Sequence, residues 1–304
     1  MIKRLSDLEQ YLRERNVKTR LVVVAAQDAN VIEAVVKAKK TGIVDVTLVG
    51  NKRIIEDVFA RHNYELSGME IIHEENDTLA GVTAVKLIKE KKAHILMNGQ
   101  ESYFGASLIS KPILDKKDGI VKGKTMSHVA VFELEHYHKL VAVTDVAVNI
   151  SPDLKAKAAI ISNAVFLMRR FGIETPKVAV LAAIEVVNDK MPATMDAAML
   201  SKMAQRGQIK NCIIDGPLAF DNAISEKSAL HKGIKSEVSG DVDILLAPDI
   251  ETAGTLYQSF MFFANAHVAS ITVGASAPVV LTTKLDTLET RFNSILLSAS
   301  TYLK

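Results

Sequence analysis

The chain has 304 residues, 48% of them hydrophobic, a formal net charge of +2, and only 5% aromatics with no Trp. Such a length suits two domains that each bury their own core, and near-neutral charge with few rings leaves no electrostatic or stacking surface for nucleic acid. No run of about 18 residues lacks charged or strongly polar interruption, and the opening MIKRLSDLEQYLRER has no secretory core, so a cytoplasmic protein that neither spans a membrane nor is exported is expected.

That opening has the charge pattern of an amphipathic helix. After it, apolar β-branched runs alternate with longer segments of helical period, the signature of βαβ units and a parallel sheet. LVVVAA (21–26) precedes a helix from about Asn30 to Lys40 closed by Gly42, VTLVG (46–50) precedes another, and HILMNG (94–99) closes the first half. Runs that are apolar throughout imply strands covered on both faces. The texture changes at the Lys- and Gly-rich LDKKDGIVKGKT (114–125), which leads into two extended runs, SHVAVFEL (127–134) and LVAVTD (140–145), joined by EHYHK. This predicts an antiparallel hairpin opening a second domain, with the boundary near Lys122. Helices follow from Pro152 to Phe171, ended by Gly172, and from about Thr194 to Arg206, ended by Gly207, with strands at 177–183, 212–215, 243–248 and 269–274. A last helix from about Leu285 to Tyr302 is placed to cross back, so the expected division is 1–122 plus 283–304 for one domain and 123–282 for the other.

In open α/β sheets, ligands lie in the crevice beyond the carboxyl ends of the parallel strands. Polar residues gather at those positions here. CIIDG halts at Asp215 and hands over to Gly216, Pro217, Asp221 and Asn222; LLAP ends in Asp249 and Glu251; VAVTD ends in Asp145 and then Asn149; VLAAIE ends in Glu185 and Asn188; ILMNGQ ends in Asn98; PVVL ends in Thr282, Thr283, Lys284 and Asp286. A plainer reading accompanies each. Gly216 and Pro217 make a tight turn with Asp221 capping the next helix, Asp249 and Glu251 are first-turn carboxylates, and Thr283 caps a helix whose first turn holds Asp286. The lone Cys212 reads as a small buried hydrophobe. His128, His136 and His138 cluster near the hairpin with the spacing of a solvated turn, and no ligand set for a metal completes them.

KVAVLAAIEVVNDKMPATMDAAMLSKMAQRGQIKNCIIDGPLAFDNAIS (177–225), with ILLAPDIE (244–251) and APVVLT (277–282), closely resembles the phosphate butyryltransferase branch of the phosphate acyltransferase family, which also includes phosphate acetyltransferases. The likeness runs on through KGKTMSHVAVFEL and VTDVAVNISPDLKAKAAIISNAV. It implies two α/β domains with parallel-rich sheets and a cleft between them, as in isocitrate and isopropylmalate dehydrogenases, in a homo-oligomer that is a dimer or larger. The implied reaction joins a short-chain acyl-CoA and phosphate to give acyl phosphate and CoA, with no metal and no tightly bound cofactor. Thr283 and Lys284 stand where the family carries Ser-Arg, so by carry-over Lys284 would neutralise phosphate and Thr283 would hydrogen-bond the sulfur or the oxyanion. Asp286 is the nearest carboxylate to act as base or to orient Lys284. The expected substrate contacts are Asn98, Lys111, Asp145, Asn149, Asp215, Gly216, Pro217, Asp221, Asn222, Asp249 and Glu251.

Several positions depart from the family pattern. Asn98 stands where a Lys is expected, Lys111 where an Arg is expected, and ETAGTLYQ (251–258) lacks an Asn and a Lys. An ammonium grips phosphate as a point charge where a guanidinium holds two oxygens at once. Two other readings are therefore carried: a catalytically weak relative that binds CoA or acyl phosphate as a sensor or structural protein, and a metal-dependent hydroxy-acid dehydrogenase of the same architecture. The last would need several Arg for its acid, and after Arg206 the sequence offers only Arg291.

Overall fold

The structure is a computed structural model that describes residues 2–100, 108–121 and 125–303. The boundary expected near Lys122 and most of the ESYFGASLISK run lie outside those residues. Two compact units emerge, one of Leu5–Met126 with Ala269–Lys304, the other of Ser127–Val268 with Met1–Arg4.

The N-terminal unit runs α1 (Leu8–Glu14), β1 (Thr19–Val24), α2 (Ala29–Lys40), β2 (Val44–Gly50), α3 (Lys52–Arg61), β3 (Met69–His73), α4 (Asp77–Lys89), β4 (Ile95–Asn98) and α5 (Ser110–Leu114). Its first three strands each hand over to a helix through an Asx cap. Asp28 accepts the N–H of Asn30 (2.8 Å) and Val31 (3.2 Å), Asn51 those of Arg53 (3.0 Å) and Ile54 (3.3 Å), and Asn76 those of Thr78 (2.9 Å) and Leu79 (3.2 Å). Such a cap stabilises a helix start by about 1 kcal/mol and fixes where it begins. Gly42, at φ +73°, ends α2 in the left-handed conformation that glycine adopts without strain.

The central unit runs β5 (Ser127–Glu133), β6 (Val141–Thr144), α6 (Leu154–Arg170), β7 (Lys177–Leu181), α7 (Pro192–Gln205), β8 (Ile213–Leu218), α8 (Phe220–Ile224), α9 (Glu226–His231), β9 (Ile244–Leu246) and α10 (Ile250–Phe263). The chain returns to the N-terminal unit through β10 (His267–Val273), β11 (Val279–Val280) and α11 (Leu288–Ser300).

Within the N-terminal unit the strand order is β3-β2-β1-β4-β11-β10, parallel except for the last pair. Within the central unit it is β5-β6-β9-β7-β8, where the β5/β6 hairpin is antiparallel and the other pairs are parallel. The molecule is thus α/β with mostly parallel strands, as the alternating pattern implied. Leu21 to Val24 are fully buried, as are Ile244 to Leu246, which is why these strands are apolar on both faces. In the central core, Phe132 of β5 meets Phe260 of α10 edge to face at 5.1 Å.

Three local differences from the sequence reading have physical reasons. First, β8 does not stop at Asp215 but continues through Gly216 and Pro217 to Leu218. Gly216 serves close strand approach, because a Cβ there would lie 2.8 Å from the Val180 carbonyl oxygen. Second, the last helix begins at Leu288, capped by Thr287, and 283–286 form a separate turn. Third, the crossing back to the N-terminal unit falls at Ala269, ahead of the division expected after Thr282, since β11 pairs with β4 through Val279↔Leu96 and Val280↔Met97.

Candidate active site

Strands β6, β9, β7 and β8 are parallel neighbours, so the residues that follow them share one edge of the central unit. At the end of β6, the buried Asp145 carboxylate accepts the N–H of His128 (3.1 Å), Ala147 (3.0 Å), Val148 (3.0 Å) and Asn149 (3.1 Å), and the Asn149 amide at 2.5 Å. One carboxylate thereby shapes the whole 145–149 loop. After β9, Asp249 caps α10 by accepting the Thr252 N–H at 2.8 Å, and Ile250 donates its N–H to the Ile150 carbonyl at 2.9 Å, which joins this loop to the one after β6. Glu251 is exposed in the first turn of α10.

The loops after β7 and β8 are stitched by side chains. Lys232, just past α9, places Nζ 2.6 Å from Glu185 Oε1 and 3.1 Å from Asp221 Oδ2. The fully buried Asn222 donates its amide to Glu185, and Ser228 Oγ donates to Asp221. The Lys232 hydrogen bond holds the Glu185 carboxyl below its usual range, and the Ser228 hydrogen bond does the same for Asp221, followed by Lys232. Asp221 therefore faces a lysine and a serine; it does not cap α8, whose start at Ala219 has no side-chain cap. The sequence had pointed to Asp221 and Asn222 but not to Lys232, which lies 47 positions from Glu185 and carries no local signal.

Asp215 and Gly216 belong to the middle of β8, away from its end, and Asp215 Oδ1 accepts the Gly216 N–H at 2.8 Å. Asp215 also lines a cavity of about 740 Å³, together with Cys212, Ala229, Leu230 and Lys235. Burial pushes the Cys212 thiol up to about 11. His128, expected in a solvated turn, is instead buried within β5, where loss of water pushes its imidazole down to about 4 while Asp145 opposes the shift. His138 reaches Asp241 at 2.9 Å, and among the described residues no His, Cys, Asp and Glu group is arranged to hold a metal ion.

In the N-terminal unit, the turn after β11 is closed by its own side chains. The Thr283 N–H donates to Asp286 Oδ2 at 2.7 Å, Thr283 Oγ1 donates to Asp286 Oδ1 at 3.1 Å, and the Leu285 N–H donates to Thr283 Oγ1 at 3.3 Å. From α11, the buried Arg291 donates Nη2 to the Thr283 carbonyl at 3.2 Å. Lys284 is exposed at the tip and pairs with no carboxylate among the described residues. Thr283 thus accepts and donates within the turn and does not cap the helix. Beside it, Thr282 Oγ1 reaches the carbonyls of Asn98 (3.4 Å) and Gln100 (3.3 Å). Asn98 is fully buried and donates its amide to Gln100, while Lys111 is exposed in α5. Gly99 is forced by crowding, since a Cβ there would meet the Val24 carbonyl at 2.3 Å.

The profile of the phosphate acetyl/butaryl transferase family matches this sequence over residues 7–125 and 78–299. The chain belongs to that family. Phosphate butyryltransferase of Clostridium acetobutylicum is 44% identical over 299 residues, covering 98% of both chains. Among solved structures, a branched-chain phosphotransacylase from Enterococcus faecalis V583 superposes with a TM-score of 0.80 at 27% identity, over 94% of this chain and all of that one. A 4-hydroxythreonine-4-phosphate dehydrogenase from Klebsiella pneumoniae shares the fold alone, at a TM-score of 0.55 and 12% identity, over 95% of this chain and 99% of that one. The chain thus shares its fold with a dehydrogenase as well as with a phosphotransacylase, in keeping with the architecture that the sequence resemblance implied.

Proposed function

We propose that this protein exchanges a short-chain acyl group, linear or branched, between coenzyme A and inorganic phosphate, giving acyl phosphate and free CoA. The observation that carries the reading is the 44% identity to a phosphate butyryltransferase across 98% of both chains. A sensor role draws no support from any relative found. Such chemistry needs a cation beside phosphate, donors for a tetrahedral oxyanion, and a group to manage the proton on sulfur.

The turn at 283–286 suits the first two tasks. Lys284 presents an ammonium that is free of ion pairing among the described residues, and it opposes phosphate. Thr283 Oγ1, whose one proton rests on Asp286 Oδ1, turns it to the sulfur or the oxyanion when substrate binds. Asp286 orients the turn, because both of its oxygens already accept from Thr283. Arg291 holds the same turn from behind. On the central unit, Asn149, Asp221, Asp249 and Glu251 form the polar edge that contacts substrate, and the buried Asp145 and Asn222 hold its loops in place. CoA enters as substrate and leaves as product. The protein works in the cytoplasm as a homo-oligomer, a state supported by the apolar face that α7 leaves exposed.

The test is thiol release from butyryl-CoA or isobutyryl-CoA in the presence of phosphate. Lys284→Ala is expected to lower turnover by about tenfold to a hundredfold, the worth of one hydrogen bond to a charged group, with an unchanged circular dichroism spectrum. Silence of the wild type across acetyl, propionyl, butyryl and isovaleryl thioesters would overturn the reading.

A further inference from the structure

Five carboxylates crowd the edge beyond β6, β7, β8 and β9: Asp145, Glu185, Asp221, Asp249 and Glu251. Phosphate, acyl phosphate and CoA are all anions. Asp145 and Asp249 are offset by backbone N–H groups, whereas Glu185 and Asp221 have side-chain partners, and the one cation among these is Lys232. Its Nζ bridges the two at 2.6 and 3.1 Å. We propose that Lys232 is a positioning residue that makes this edge hospitable to anionic substrate, cancelling one of two adjacent negative charges and turning both carboxylates onto itself. The inference rests on the acyl-transfer reading and adds to it a residue that does not touch the reacting atoms.

Several observations converge on this role. Lys232 is delivered by the end of α9, Asp221 by α8, and Glu185 by the loop after β7, so a single ammonium ties together three segments at the carboxyl edge. The Glu185 hydrogen bond raises the Lys232 pKa above its usual value, which keeps the group charged throughout the working range. Asn222, with no exposed surface, locks Glu185 from the buried side. Two carboxylates and one ammonium leave the trio with a single negative charge, and losing the ammonium doubles it.

The experiment is steady-state thiol release at varied phosphate, in low salt and in about 1 M KCl, where charges more than a few ångströms apart are screened. Lys232→Met is expected to raise the phosphate KM by about fivefold in low salt, the scale of an exposed charge interaction, with kcat nearly unchanged and the penalty gone in high salt. K232R should restore the low KM. The double variant K232M/E185Q returns the trio to one negative charge and should recover most of the loss. E185Q alone, which keeps the lysine and serves if K232M folds poorly, should lower the KM below that of the wild type. An unchanged KM in well-folded K232M, a penalty that persists in high salt, or a higher KM in E185Q overturns the proposal. A wild type that releases no thiol would instead sink the acyl-transfer reading itself.

Discussion

His128 lies inside β5 with its ring out of water, and burial pushes its imidazole down to about 4, with Asp145 pulling the other way. In an unfolded chain a histidine takes up its proton near pH 6.5. Between those values the unfolded state holds more protons than the folded one, so stability falls as pH drops through that window and levels off below it. Urea denaturation should show the wild type losing up to about 3 kcal/mol more than His128→Asn between pH 7 and 4. Parallel pH profiles for the two proteins would show that the ring already carries its proton in the fold. The sequence showed a His near a hairpin and nothing of its surroundings, because strand burial depends on what packs over it. Glu251 as a first-turn carboxylate was legible, whereas Asp249, read the same way, sits just outside the turn and caps α10 through the Thr252 N–H. The Lys232 bridge was not legible, since its ends are 47 positions apart.

At the level of elements, α6 and α7 are joined by Lys157 and Asp196 at 2.6 Å, with side chains only 7% and 20% exposed. Removing one member of a buried pair leaves the other charge without compensation, which costs about 3 kcal/mol or more. Lys157→Met should therefore lower the urea midpoint sharply, while Lys157→Met with Asp196→Leu should recover much of it. A double variant as unstable as the single would mean that the pair acts through packing alone. The alternation of apolar and helical stretches made most strands and helices readable in advance. Strand β3 escaped notice because none of its residues is fully covered and its apolar run is short. The reading of β8 stopped early because Gly and Pro usually end strands, and here the approach of Val180 demands a glycine within one.

At the scale of the whole molecule, the fold class followed from pattern alone, while the point of return to the N-terminal unit did not. A two-residue strand such as β11 is too brief to announce which strands it pairs with. The surface carries one further message. On α7 and the residue before it, Met191, Met195 and Met199 are 37%, 38% and 41% exposed at four-residue spacing, and Val186 and Val187 just upstream are 68% and 56% exposed. Apolar side chains four apart share one helix face, and a contiguous face of this kind is what association between copies buries. Light scattering should give the wild type a mass of at least two chains, and Met195→Glu with Met199→Glu should reduce it to one. A wild type that runs as a single chain would refute the homo-oligomer.

Cys212 has a practical corollary. As the chain's one cysteine, half-buried just before β8 where the sequence reading expected full burial, with its thiol pushed up to about 11, it holds almost no thiolate near neutrality. A chromogenic disulfide reagent added to the reaction would therefore register liberated CoA against a nearly blank protein background, and turnover could be followed continuously in a cuvette.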